Sequence, residues 1–206
     1  MDWQSVVITS NVLLLETQFA HVSTEYDYLD LYSQRYVKPG EVAPVDCIRY
    51  QQEIFTNLEE NNSLFVFGAG HASHCNYYFN SGLFSRVVSS DIVEESRTGL
   101  LNTVEFQLFD ILTDDFTEKF DYIFSSHTIE HFTRDQIMNI ILPKCLQAAR
   151  KAVIFIAPYK DVAWADAPEH RVRLSEEDEL AARALKWKRI YEGRELVLWF
   201  ENKNPI

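Results

Sequence analysis

Basic residues, cysteines and long apolar runs are all scarce in this chain of 206 residues. Lysine and arginine number 19 against 31 aspartates and glutamates, for a formal net charge of −12 and a pI near 4.9. So acidic a surface repels phosphate backbones and anionic headgroups, which sets aside nucleic acid and membranes as partners. A neutral or cationic small molecule is the easier substrate. Cysteine occurs only at Cys47, Cys75 and Cys145. Three widely spaced thiols with no CxxC pair build neither a disulfide framework nor a metal knuckle, and read as reduced thiols of a cytoplasmic protein. The most apolar early stretch, Val6 to Leu15, is interrupted by Thr9, Ser10 and Asn11 and is too short to cross a bilayer. No charged leader with a cleavage site accompanies it, and internal repeats and low-complexity segments are absent.

What is present is core material. Hydrophobic residues make up 47% and aromatics 14%, enough for one sizeable folded domain. Residues 1–62 read as a helical segment packing on or capping the main domain, with an aromatic cluster at Tyr26, Tyr28, Leu29, Leu31 and Tyr32 and a turn at Lys38-Pro39-Gly40. From residue 63 to 206 the pattern alternates short apolar runs with helical stretches, as βα units of a parallel sheet do. The runs are Leu64 to Phe67, Arg86 to Ser90, Val104 to Phe109, Tyr122 to Ser125 and Ala152 to Ala157, the last stopped by Pro158. Thr133-Arg134-Asp135-Gln136 fits a capping box before a helix with Pro143 as a kink, and Ser175-Glu176-Glu177-Asp178 is a weaker start signal. Two strand-like runs, Lys186 to Tyr191 and Glu195 to Phe200, close the chain as a hairpin.

The first run ends in Gly68-Ala69-Gly70-His71-Ala72-Ser73. Two glycines there let the backbone approach a nucleotide-like ligand, or they merely bend the chain. In open α/β sheets ligands sit beyond the C-terminal ends of the strands, at the switch in strand order. Asp91, 21 residues past Gly70, ends the second run, and Asp110 ends the third. A carboxylate at the first place can accept both ribose hydroxyls of an adenosine, and one at the second an adenine amino group. Two acids on successive strands after a glycine turn favour the ligand reading.

These residues, with "FDYIFSSHTIEHF" around the fourth run, "PEHR" at 168–171 and the closing hairpin, resemble the class I S-adenosylmethionine-dependent methyltransferases. The likeness spans roughly residues 63–201. It implies an α/β Rossmann-like methyltransferase fold: a mostly parallel seven-stranded sheet with a C-terminal antiparallel hairpin and helices on both faces. It implies S-adenosylmethionine as cofactor, with Phe67, Gly68, Gly70 and His71 around the methionine part, Arg49 at its carboxylate and Ser126 as a further cofactor contact. Asp91 would hold the ribose and Asp110 the adenine, flanked by Ile92 and Ile111. The chain departs from the family at Val66, where an acid is usual, and at Ala72, where a third glycine is common.

Methyl transfer to a hydroxyl needs a group to take the proton, and neutral imidazole suits that task near pH 7. His127, after the fourth run, is the first choice for base, with His170 the second catalytic candidate; Glu130 and His131 read as structural. Tyr159, Trp164 and Arg171 are candidate acceptor contacts. Asp161, Asp166, Glu169 and His170 lie close in sequence, but no spacing among them compels a metal and none is expected. The expected function is O-methylation of a small molecule or sugar by a monomer or homodimer. A degenerate, non-catalytic binding protein of the same fold is the alternative, and an NAD-dependent oxidoreductase shares only the glycine turn and Asp91.

Overall fold

A run such as Leu64-Phe65-Val66-Phe67, apolar at every position, has no face to give to water, and its place is inside a sheet covered on both sides. The computed structural model describes residues 54–55, 58–70, 73–160, 170–190 and 194–202. There the run is β1 (Asn62–Phe67), followed by β2 (Phe84–Asp91), β3 (Glu105–Leu108), β4 (Phe120–Ser126), β5 (Ala149–Pro158), β6 (Lys186–Ile190) and β7 (Glu195–Glu201). The strand order is β3-β2-β1-β4-β5-β7-β6. Strands β1 to β5 pair in parallel, and β7 runs antiparallel between β5 and β6. The seven-stranded sheet with its antiparallel hairpin is therefore as the sequence leads one to expect. The chain moves outward from β1 to β3 and then returns to lay β4 on the other side of β1. That reversal puts a crevice between β1 and β4 at their C-terminal ends.

Alternate residues of each strand enter opposite layers. Phe65, Phe67, Ile123, Val153 and Phe155 pack on one face with Ile137, Ile141 and Leu142. Leu64, Val66, Phe124, Ile154 and Ile156 pack on the other with Phe55, Cys75 and Tyr78. Burying each such side chain contributes about 1.5–3 kcal/mol relative to leaving it in water. Phe55 is pinned by edge-to-face contacts with Tyr78, Phe84 and Phe124, at centroid distances of 5.4 to 5.6 Å. Apart from that end, the N-terminal helical segment expected over 1–62 lies outside the described residues.

Helix α1 is Ser73–Asn80. Helix α2 runs over 134–148 in three parts: Arg134–Gln136, a π-turn over Ile137–Ile141, and Leu142–Ala148. Its capping box is present, with Thr133 N donating to Gln136 Oε1 at 2.8 Å and Gln136 N to Thr133 Oγ1 at 3.3 Å. The expected kink at Pro143 takes a specific form. Proline has no N–H for an i−4 carbonyl, and the chain widens into a π-turn just before it, where Leu142 N bonds Ile137 O. Helix α3 is Glu179–Arg183, capped by Asp178, whose carboxylate accepts from Leu180 N at 2.9 Å. Ser175 is thus not the cap, because burial of Leu180 and Ala181 fixes where the helix starts. Strand β5 continues through Pro158, paired with Glu195; a proline at a strand's last residue forfeits only one donor.

Candidate functional site

The turn after β1 exists because two of its residues lack a Cβ. Gly68 and Gly70 have φ of +63° and +52°, the left-handed region that side chains disfavour. Gly68 is constrained twice, since a Cβ there would lie 2.3 Å from Thr128 Cγ2, whereas one on Gly70 would meet nothing within 4 Å. The Thr128 hydroxyl lies 3.1 Å from Gly68 O and 3.2 Å from Ser126 O. The loops after β1 and β4 are thereby tied at the sheet's switch point, with open space beside Gly70.

The acid at the end of β2 holds this turn from the other side. Ala69 N donates to Ser90 O at 2.9 Å, Gly70 N to Asp91 Oδ2 at 2.8 Å and Val93 N to Asp91 Oδ1 at 3.1 Å. Asp91 is only 2% exposed. Burial raises its pKa above the ordinary carboxylate value, while the backbone N–H groups of Gly70, Val93 and Ile92 pull the other way. Asp110 lies two residues beyond β3, half-buried, and its Oδ1 accepts from Leu112 N at 2.9 Å. Ile92 is exposed and Ile111 is buried. Phe67 points into the core against Phe155, at 5.9 Å between rings, so only its backbone faces the turn.

Beyond β4 the chain makes a left-handed bend at His127, φ +53°, whose N–H donates to Ile156 O at 2.9 Å. The bend leaves the imidazole 44% exposed, with Nε2 3.0 Å from Glu195 Oε1 and Nδ1 3.7 Å from Glu130 Oε1. Glu130 and His131 occupy a separate 3-10 turn, Ile129–His131, rather than the start of α2. His170, after β5, brings Nε2 to 3.9 Å from Glu130 Oε1 and its ring to 5.0 Å from that of His131. Arg171 N and Val172 N both donate to Glu130 O, at 2.7 and 3.3 Å, clamping the two segments together. The Arg171 side chain is exposed. Tyr159 is 8% exposed, with its hydroxyl bonded to Glu176. Ser126 is half-buried at the end of β4.

Arg49, His71 and Trp164 lie outside the described residues, as do Asp161, Asp166 and Glu169. Among the rest, the structure gathers Gly68, Gly70 and Asp91 around one turn, and His127 and His170 around Glu130. Sequence reasoning did not single out Thr128 or Glu195. Thr128 sits in the quoted "SSHTIEH" stretch, but its partner Gly68 is 60 residues away. Glu195 reaches His127 only because β7 pairs with β5.

No protein-family model matches the chain, and no curated protein matches it by sequence. By structure, it is similar to the N-methyltransferase NodS from Bradyrhizobium japonicum WM9, with a TM-score of 0.58 at 13% identity over 77% of this chain and 95% of that one. It is also similar to magnesium protoporphyrin IX methyltransferase ChlM from Synechocystis PCC 6803, solved with bound S-adenosylhomocysteine: TM-score 0.57, 16% identity, 88% of this chain and 95% of that one. The S-adenosylmethionine-dependent methyltransferase SibL, in its apo form, gives 0.57 and 16%, over 87% of this chain and 58% of that one. The chain has the fold of the S-adenosylmethionine-dependent methyltransferases.

Proposed function

We infer that this chain is an S-adenosylmethionine-dependent methyltransferase that methylates an oxygen of a small molecule or sugar. The observation that carries the reading is Asp91: a buried carboxylate at the end of β2, bonded to the glycine turn at the switch point of a methyltransferase sheet. In this reading Gly68 and Gly70 leave the backbone open to the methionine part, Asp91 accepts the ribose hydroxyls and Asp110 the adenine amino group. Val66 removes the acid common before the first glycine, so backbone carbonyls of the 67–70 loop take the ammonium. Arg49 and His71 complete that end.

Transfer is an in-line displacement: the acceptor oxygen forms a bond to the methyl carbon as the carbon–sulfur bond breaks, and the acceptor's proton must leave. An ionised Glu195 only accepts hydrogen bonds, so the 3.0 Å contact puts the neutral His127 proton on Nε2. Nδ1 then carries the lone pair and serves as the base. Glu195 is the positioning residue. Tyr159, Trp164 and Arg171 lie on the segments that would border the acceptor, and His170 lies behind Glu130. The acidic balance favours a neutral or cationic acceptor over a nucleic acid. The buried free thiol of Cys145 fits a reducing, cytoplasmic setting. No helix among the described residues is long and apolar enough to cross a membrane.

The test is transfer of an isotopically labelled methyl group from S-adenosylmethionine to a panel of hydroxylic metabolites and sugars, with amines included. The product should carry the label on oxygen, and His127→Gln should lower kcat by about 10²–10⁴-fold, the usual contribution of a general base. Label found only on nitrogen overturns the O-methylation reading. Cofactor binding without transfer to any acceptor would favour a non-catalytic binding protein.

A further inference from the structure

Three metal-ligating side chains from two separate segments converge beside His127. Glu130 and His131 come from the 3-10 turn after β4, and His170 from the stretch after β5. One ligand atom from each lies within 4.8 Å of the other two. The carboxylate is 3% exposed and the His170 side chain 10%. Burying an ionised carboxylate is costly unless a cation accompanies it, and here His170 Nε2 already approaches it at 3.9 Å. The backbones are already fixed, because Glu130 O accepts from Arg171 N and Val172 N and His131 N donates to Thr128 O at 3.1 Å. We propose that Glu130, His131 and His170 bind one divalent transition-metal ion.

Donors about 2.1 Å from a common tetrahedral ion lie about 3.4 Å from one another, so side-chain adjustments of about 1 Å close this set. Two imidazoles and one carboxylate suit zinc, iron(II) or cobalt(II); calcium and magnesium prefer all-oxygen shells. Three protein ligands leave coordination positions open, as in metal sites that take a substrate. An oxygen of the acceptor can fill one, within reach of the His127 imidazole. That last role rests on the methyl-transfer reading, whereas the metal site itself does not.

The probe is therefore the metal alone. Untagged full-length protein is stripped with a chelator, titrated with cobalt(II) and followed by visible absorption, with circular dichroism as the fold check. One equivalent should bind, and Glu130→Gln and His170→Ala should each weaken it by at least about tenfold, since each removes a direct ligand. His74→Ala, on α1 and outside the cluster, should leave the titration unchanged. Should a variant fail to fold, X-ray absorption of the zinc-loaded wild type decides, with two imidazole nitrogens and one carboxylate oxygen expected. No cobalt bound at millimolar concentration, equal affinity in wild type and variants, or a thiolate in the zinc shell would each overturn the proposal. S-adenosylhomocysteine binding, measured separately, distinguishes failure here from failure of the methyltransferase reading.

Discussion

The Gly70 backbone N–H donates to the Asp91 carboxylate at 2.8 Å, so the acid that ends β2 holds the turn that follows β1. Its other oxygen accepts from Val93 N. Both bonds lie out of water. A strand-end acid facing a cleft could be deleted at little cost to the fold; at 2% exposure Asp91 cannot. Asp91→Ala should destabilise the protein by about 1–3 kcal/mol, the cost of leaving a buried donor unsatisfied, read as a Tm lowered by several degrees. The same change should weaken S-adenosylhomocysteine binding at least about tenfold, since charge-assisted hydrogen bonds contribute about 1.5–3 kcal/mol. Asp115→Ala, with a side chain 92% exposed, is the control and should change neither.

Asp91 also sets a pH dependence with opposite signs for folding and binding. Burial raises its folded pKa above the ordinary carboxylate value of 3.8. Between the unfolded and folded values the folded state holds more protons. Stability from this group is therefore present at low pH and is lost as pH rises through the folded value. Ribose hydroxyls require the ionised acid, so affinity should rise over that same interval. Titrations with S-adenosylhomocysteine at descending pH should show weakening that begins above the ordinary value, and Asp91→Asn should abolish that slope. An affinity unchanged down to about pH 3.9 would contradict it.

Gly68→Ala should disrupt the junction of the two loops. The new Cβ meets the Thr128 side chain at 2.3 Å, on a backbone with φ of +63°, where a left-handed residue costs about 1–2 kcal/mol before any clash. A lowered Tm and loss of S-adenosylhomocysteine binding are expected. Gly70→Ala has open space around its Cβ and should be the milder of the two in thermal melts.

Cys75 and Cys145 are both fully buried, and burial pushes the Cys145 thiol well above its ordinary pKa. The thiolate is the reactive form. Cys145 should not react with an aromatic disulfide reagent in the native protein at neutral pH, and should react in denaturant. Peptide mapping separates it from the other cysteines.

Local pattern carried most of the fold. Apolar runs such as Leu64 to Phe67 and Ala152 to Ala157 have no amphipathic alternative, and the glycines and acids at their ends mark the C-terminal edge of the sheet. The capping box at Thr133 was legible because both partners lie three residues apart. Asp178 as the cap of α3 was not, since Ser175 is chemically as good and only burial of Leu180 decides between them. Pro143 marks a kink in the sequence but not its form, a π-turn over Ile137–Ile141. The site was half legible for the same reason. Gly68, Gly70 and Asp91 follow from strand ends, whereas the meeting of His127 with Glu195, and of Glu130 with His170, depends on the β5 and β7 crossings. Glu130 and His131 read only as structural because His170, which completes their cluster, lies about 40 residues further along.

The most direct test of the account is calorimetric titration of the full-length wild-type protein with S-adenosylhomocysteine, run beside NADH. The account predicts one equivalent of S-adenosylhomocysteine bound per chain, with Asp91→Asn and Gly68→Ala weakened and no heat from NADH. Absence of any S-adenosylhomocysteine binding at millimolar concentration, or equal affinity for wild type and Asp91→Asn, would contradict it.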